Sequence, residues 1–159
     1  MCSSDLAWGI QATGTVDVIS NVVAGNTRGI SITGGQARGN RVYASQGDGI
    51  FATDAAVTRN VVYSNVVGLR LASSATLTAA NNIVYANRQA GVQIGGTGVG
   101  FVNNTVYEEG GDAVRIEGAT DARLFNNAIF SRFGRAILVA DDAAAGFASD
   151  HNLFVPSPT

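Results

Sequence analysis

The 159-residue sequence contains no lysine, so all ten basic residues are arginine. With twelve acidic residues the net charge is −2, which argues against nucleic acid or an acidic membrane surface as a partner. No run of about 18 apolar residues is present, so no membrane span is predicted. The absence of lysine also excludes lysine-based β-elimination within this chain.

Proline occurs only at Pro156 and Pro158, whereas glycine occurs 20 times. This balance fits a chain that turns often yet keeps its backbone amides for ladder hydrogen bonds. The single cysteine, Cys2, lies in the opening M-C-S-S-D-L, which does not join the pattern of the rest. Residues 1–6 resemble the translation of a sequencing-library adapter, so we expect a non-native leader there. Cys2 then says nothing about redox compartment, and a signal peptide is not observable.

Two residue series recur at a step of about twenty residues, which is the range typical of stacked repeats. One is an asparagine that opens a short hydrophobic phrase, and its members are Asn21, Asn40, Asn60, Asn82, Asn104, Asn127 and Asn152. The other is a glycine or alanine followed by an aliphatic residue, and its members are Gly9, Gly29, Gly49, Gly68, Gly91, Ala113 and Ala136. The shared period predicts a solenoid of about seven coils.

Three short strands are predicted in each coil. After the glycine position the residues alternate apolar, variable, apolar, as in Ile30-Ser31-Ile32 and Leu69-Arg70-Leu71, which indicates a strand with one buried face. A second strand leads into the asparagine, and its apolar residues are Val16, Val18, Val57, Leu77, Ala79, Val99, Phe101 and Leu124. The third strand follows the asparagine. We expect triangular coils that pair in parallel, about 4.8 Å apart.

Repeated polar and aromatic residues mark the corners. The asparagines predict a buried ladder in which each amide bonds backbone and the asparagine of the next coil, and the side chain tolerates left-handed backbone. Asn26, Asn65 and Asn87 form a second, less complete series at the third corner. An aromatic row in register predicts a stacked edge with a structural role, and whether it faces in or out stays open; its members are Tyr43, Tyr63, Tyr85, Tyr107 and Phe130.

The pattern resembles the right-handed parallel β-helix repeat proteins of the pectate-lyase-like superfamily. The Asn-x-Val-Tyr and Gly-aliphatic-x-aliphatic phrases carry the resemblance, together with the closing residues 149–154. The stretch N-N-T-V-Y at 103–107, followed by residues 111–116, is similar to repeats of large bacterial secreted and surface proteins. The resemblance implies an all-β fold, a right-handed single-stranded parallel β-helix (β-solenoid) of about seven coils. It also implies an extracellular or cell-surface location.

The enzyme signatures of that superfamily are absent. There is no paired arginine motif around a proline as in pectate lyases, no N-T-D with D-D and G-H-G as in polygalacturonases, and no D-P-H-D as in mannuronan epimerases. The first hypothesis is therefore a structural segment of an extracellular or cell-surface protein that binds glycan without catalysis of its own. The alternative is part of a polysaccharide lyase or glycoside hydrolase whose active-site coils lie outside this segment.

Both ends of the repeat lack a cap. No amphipathic helix is visible before Gly9, and an uncapped solenoid end leaves a row of strand groups unpaired. Pro156 and Pro158 end strand pairing without covering an edge. We expect residues 7–159 to be β-helix coils that form an internal segment of a longer domain, with flanking coils of the same chain as partners.

The outward residues of the first strand are the candidate ligand site. In successive coils Phe51, Arg70, Gln93 and Arg115 offer a stacking ring and planar donors, and Glu117 lies two residues on. This chemistry suits an acidic sugar chain, so polysaccharide is the predicted ligand. An ordinary solvated sheet face is the competing, and more common, interpretation.

Carboxylates and the lone histidine are weaker candidates. Asp48 and Asp112 occupy the same place before the glycine position, which favours a role in capping their own turns. Glu108 and Glu109 gather with Asp112 in one longer turn, where oxygen ligands suit Ca²⁺; a solvated acidic loop is the favoured interpretation, and no cofactor is predicted. A packing or surface position is expected for His151.

Glycosidase chemistry needs two carboxyl groups a short, fixed distance apart. Glu117 and Asp121 are the pair that the spacing brings nearest, and nothing else in the sequence marks them as catalytic. Asp141 and Asp142 are expected in a loop of the enlarged last coil. No catalytic residue is therefore predicted.

Overall fold

The structure, a computed structural model, describes residues 7–155. Within that range the chain forms three parallel sheets of seven strands each, wound as a β-solenoid of seven coils. The fold predicted from the repeat is confirmed. The expected leader at 1–6 and the proposed role of Pro156 and Pro158 lie outside the described residues.

Each coil contributes one strand to each sheet, so neighbours in a sheet are strands of adjacent coils. Sheet A contains the strands Ile10–Thr13, Ile30–Thr33, Asp48–Thr53, Val67–Ser73, Ala90–Thr97, Asp112–Thr120 and Ile137–Val139. Sheet B contains Asp17–Ile19, Gln36–Arg38, Ala56–Thr58, Leu77–Ala80, Val99–Val102, Arg123–Phe125 and Ala148–Asp150. Sheet C contains Val22–Ala24, Arg41–Tyr43, Val61–Tyr63, Ile83–Tyr85, Thr105–Glu108, Ala128–Ser131 and Leu153–Phe154.

Helical structure in the described part is limited to one turn of 3-10 helix, Asp141–Ala143, in the enlarged last coil. This turn stands where a loop was expected, and both of its aspartates are exposed. No helix among residues 7–155 is long and apolar enough to cross a bilayer.

The core consists of aliphatic side chains that stack in register along the solenoid. Ile30, Ile50 and Leu69 occupy equivalent positions in successive coils of sheet A and are almost fully buried. β-Branched and aliphatic residues suit such a pleated wall because each packs on a like residue above and below. Val16 was expected inside a second strand, but it precedes Asp17–Ile19 and is 41% exposed.

The asparagine ladder occupies the corner between sheets B and C. At Asn82, the backbone N–H of Asn60 and its Nδ2 donate to Oδ1 at 2.9 and 3.0 Å. Asn82 Nδ2 in turn donates to Val57 O and to Asn104 Oδ1, both at 2.9 Å. Each buried amide thus bonds backbone groups of the preceding coil and the asparagine side chain of the next coil, which confirms the predicted ladder.

Left-handed backbone at this corner lies one residue before each ladder asparagine, not on it. The residues with positive φ there are Ser20, Gly39, Arg59, Asn81, Asn103, Asn126 and His151. The ladder asparagines, which were expected to tolerate this conformation, do not adopt it themselves. The physical reason is that a sharp corner needs one left-handed residue, while the next residue must turn its amide inward to bond along the ladder.

Candidate functional site

The five predicted site residues lie together on the outer face of sheet A. Phe51, Arg70, Gln93 and Arg115 are paired in register on four adjacent strands. Together with Glu117 they line a cavity of about 290 Å³, called here the sheet A cavity. The period-2 alternation is the cause: the flanking aliphatic residues point inward, so these side chains must point outward.

The cavity owes its space to small side chains in the neighbouring outward row. Ala72 pairs with Gly95 there, and a Cβ on Gly95 would meet only Glu117 O, at 3.4 Å. Beyond Ile94 the register with the next strand shifts by one residue, so that Glu117 and Gly118 together lie opposite Gly95 in a bulge. A β-bulge re-aims the side chains at its position, and here it places the Glu117 carboxylate beside the cavity.

Both arginines of the cavity are paired with carboxylates. Arg70 Nε donates to Asp48 Oδ2 at 3.0 Å. Arg115 donates through Nε and Nη2 to Asp112 Oδ2 at 3.2 and 2.9 Å, and its Nε lies 3.6 Å from Glu117 Oε1. The expectation of donors for an acidic sugar chain stays a prediction, but the guanidinium groups on which it rested carry little unbalanced charge.

Asp112 is the most enclosed of these carboxylates, with 5% of its side chain exposed. Burial raises its pKa, but hydrogen bonds from Arg135 and Arg115 outweigh burial, so the net pKa lies below the ordinary value. The Arg135 backbone N–H and Nε both donate to Oδ1, at 2.8 and 3.1 Å. Asp112 therefore stays ionised at neutral pH and joins two coils.

Asp48 and Asp112 do share one register position, since Asp48, Val67, Ala90 and Asp112 pair across four strands. The expected role in capping their own turns is wrong, because both bond arginine side chains on the face of sheet A or beside it. The sequence pointed to both residues but did not predict that they position the arginines. The feature that could have indicated this role is an arginine at the outward position of the same coil or the next.

The expected solvated acidic loop at 108–112 is also wrong. Glu108 is fully buried and takes the place of an asparagine in the second ladder, while Glu109 is exposed. Its Oε2 accepts the backbone N–H of Asn87 at 2.6 Å and its Oε1 accepts Asn87 Nδ2 at 2.9 Å. Burial raises the pKa of Glu108 to about 7, although both hydrogen bonds from Asn87 act to lower it.

The remaining candidates are dispersed. Asp121 lines a separate cavity of about 420 Å³ with Thr78 and Arg123, so it does not share the sheet A cavity with Glu117. His151 is exposed and pairs with Asp150 at 3.0 Å, in agreement with a surface position. Among residues 7–155 no three histidine, cysteine or acidic side chains lie close enough to hold a metal ion.

The aromatic row lies on the outer face of sheet C, which answers the question left open by the sequence. Tyr43, Tyr63 and Tyr85 stack with centroids 5.0 and 4.8 Å apart and nearly parallel rings, and Tyr107 stacks on Phe130 at 4.7 Å. Rings stacked along the axis cover one another's faces and leave mainly edges to solvent. This arrangement supports the structural role predicted for the row.

An apolar cavity of about 390 Å³ adjoins this row and was not anticipated from the sequence; its lining includes Tyr107, Phe130 and Val155.

Comparison with protein families gives one match: the model described as "Right handed beta helix region" matches residues 8–154. Comparison with curated proteins finds no match.

Proposed function

The chain belongs to the right-handed β-helix family, and on that premise we propose that it is a structural β-helix segment that binds glycan in the sheet A cavity. One observation carries the proposal. An aromatic ring, two guanidinium groups, an amide and a carboxylate, from Phe51, Arg70, Gln93, Arg115 and Glu117, converge on a single cavity. A concave site with a few convergent polar groups is the usual form of a small-ligand site.

The chemistry of the cavity suits a sugar chain laid along the solenoid axis. Phe51 lies at one end of the row and offers an apolar surface to a sugar ring, while Gln93 supplies both a donor and an acceptor at the centre. Four consecutive strands carry the row, so it spans about 14 Å at the usual strand separation. That span is the length of a short oligosaccharide.

The proposal assigns no catalysis to this chain. Hydrolysis of a glycosidic bond by the common mechanism uses two carboxyl groups on either side of the bond. Of the residues that line the cavity only Glu117 carries a carboxyl group, while Asp48 and Asp112 are held by arginines. The alternative function, a polysaccharide lyase or glycoside hydrolase, would have to place its active-site coils outside this segment.

The proposed setting is a bacterial extracellular or cell-surface protein. Its support is the resemblance of residues 103–116 to repeats of large secreted and surface proteins. Flanking coils of the same chain are the proposed neighbours of the first and last coils. Localisation of a tagged full-length protein tests this part independently of ligand binding.

The binding proposal is tested on a glycan array with the double variant Arg70→Ala and Arg115→Ala. We expect binding to fall at least about tenfold, since hydrogen bonds from charged donors are roughly twice as strong as neutral ones. Arg38→Ala with Arg88→Ala is the matched control, because it removes the same charge from exposed positions away from the cavity. Phe51→Ala with Gln93→Ala gives a second variant that leaves both ion pairs intact.

Two results would decide against the proposal. Equal loss of binding in the control and the cavity variants would mean that only net charge matters. Release of unsaturated or reducing ends from a uronic-acid polymer by this chain alone would replace the binding function with an enzymatic one. Release only by a longer native chain would instead favour the lyase or hydrolase alternative.

A further inference from the structure

Each arginine of the sheet A cavity is neutralised by a neighbouring carboxylate, and we infer that the cavity selects a neutral, hydroxyl-rich glycan over a uronic-acid polymer. The inference rests on the proposed glycan-binding function and names its ligand class. It concerns six charged residues in or beside the cavity: Asp48, Arg70, Asp112, Arg115, Glu117 and Arg135.

Arg70 is oriented through its Nε. That atom donates to Asp48 Oδ2 at 3.0 Å, and the Asp48 side chain is only 12% exposed, against 40% for Arg70. Among the described residues the two Nη groups of Arg70 have no hydrogen-bond partner within the protein. Arg70, which lines the cavity, therefore keeps N–H groups for a ligand while Asp48 balances its charge.

Arg115 is balanced more completely. Its Nε and Nη2 both donate to Asp112, and its Nε also lies 3.6 Å from Glu117 Oε1. Because Asp112 is buried and its pKa is lowered by Arg135 and Arg115 despite burial, its negative charge persists at neutral pH. A carboxylate bound near Arg115 would thus also lie near two fixed negative charges.

The local charges sum to zero, with Arg70, Arg115 and Arg135 against the three carboxylates of Asp48, Asp112 and Glu117. For an incoming carboxylate the attraction to a guanidinium is reduced by repulsion from the carboxylate already paired with it. The acidic ligand would also lose hydration without a new counter-charge.

A neutral sugar is not repelled by these carboxylates, and its hydroxyl groups can both donate and accept hydrogen bonds. They can accept from the Arg70 Nη groups and donate to the Glu117 carboxylate, and Gln93 can do either. Hydrogen bonds to charged groups are the stronger class, so they favour binding without any net charge on the ligand. The paired arginines act as oriented hydrogen-bond donors and not as free positive charges that attract an anion.

The test compares two polymers with one backbone: polygalacturonate and the neutral galactan made by reducing its carboxyl groups. Calorimetry or affinity electrophoresis at low salt with the unmodified chain should show at least tenfold tighter binding of the neutral polymer. Tighter binding of polygalacturonate would overturn this inference and leave the binding function standing. If neither polymer and no glycan on an array binds, the proposed function falls and the inference with it.

The variant Asp48→Asn with Asp112→Asn removes the carboxylate hydrogen-bonded to each arginine and should shift the preference toward polygalacturonate by tenfold or more. Asp48→Asn alone, at a more exposed position, serves if the double variant does not fold, and should give a smaller shift in the same direction. Asp17→Asn is the matched control, because it removes one exposed carboxylate from sheet B. An equal shift in this control would contradict the assigned roles of Asp48 and Asp112.

Discussion

At the corner between sheets C and A, the Asn87 side chain occupies the space that a side chain on Gly68 would need: a methyl group on Gly68 would lie 2.8 Å from Asn87 Nδ2. The same relationship joins Gly9 to Asn26, Gly49 to Asn65 and Gly91 to Glu108. Where the glycine is replaced by alanine at Ala113, the register position of the ladder holds Ser131 instead. At these four positions the glycine and second-ladder series keep one period because the glycine leaves room for a polar side chain of the ladder.

Gly68→Ala should therefore destabilise the fold. The added methyl would also meet Gly91 O at 2.5 Å and Val84 Cγ1 at 2.6 Å, and such overpacking costs about 1 to 3 kcal/mol. Urea unfolding followed by circular dichroism measures the change in the free energy of unfolding. Gly100→Ala is the matched control, because its nearest atom is Leu77 O at 3.8 Å; equal losses at both sites would contradict the steric account.

Asn82→Ala tests the main ladder. Removing this buried amide takes away the acceptor of the Asn60 N–H and a donor to Val57 O, and each buried unsatisfied group costs about 1 to 3 kcal/mol. We expect a loss of several kcal/mol or failure to fold. Asn26→Ala, at the end of the second ladder, removes one bond to Ala24 O and should cost about 1 kcal/mol or less. If Asn82→Ala lowered the free energy of unfolding no more than Asn26→Ala, the result would argue against a cooperative ladder.

Ser45→Asn should stabilise the protein. Ser45 occupies the ladder position between Asn26 and Asn65, its N–H donates to Asn65 Oδ1 at 3.0 Å, and its buried Oγ has no partner. Asparagine there can extend the ladder on both sides, which we expect to add about 1 kcal/mol. Ser45→Ala removes the unpartnered hydroxyl without restoring the ladder. A melting temperature of Ser45→Asn no higher than that of Ser45→Ala would contradict the prediction.

Glu108 should make stability depend on pH. Its pKa is raised by burial from 4.5 to about 7 in the folded chain, so the folded state binds a proton more tightly than the unfolded state. The resulting stabilisation is fully present below about pH 4.5 and is lost as pH rises through about 7, a change on the order of 3 kcal/mol.

Denaturant unfolding of the unmodified chain and of Glu108→Gln, at pH 5 and pH 8, measures this dependence. The variant cannot ionise at this position, so its stability should fall less between the two pH values. Because one Gln oxygen replaces two carboxylate oxygens facing Asn87, we also expect lower stability at pH 5. If the free energy of unfolding changed between pH 5 and pH 8 by the same amount in the variant as in the unmodified chain, Glu108 would be ruled out as the responsible group.

The repeat made the fold predictable because almost all inward positions are aliphatic and the corner between sheets B and C repeats its asparagine in every coil. The same alternation fixed Phe51, Arg70, Gln93 and Arg115 on one outward row. Their ion pairs were not predictable, because Arg70 bonds Asp48 one coil away and the partner depends on side-chain geometry. Sequence reasoning likewise placed Glu108 in solvent, because a charged residue at a buried asparagine position runs against the usual preference of glutamate for the surface.

The central claim is that the sheet A cavity binds a neutral glycan, and nuclear magnetic resonance of the isotope-labelled chain tests it most directly. An oligosaccharide of the carboxyl-reduced galactan is titrated while backbone and arginine side-chain signals are followed. The account predicts saturable shifts centred on Phe51, Arg70, Gln93, Arg115 and Glu117, and none along the tyrosine stack of sheet C. Saturable shifts confined to Tyr43, Tyr63 and Tyr85, or no shifts at all, would contradict it.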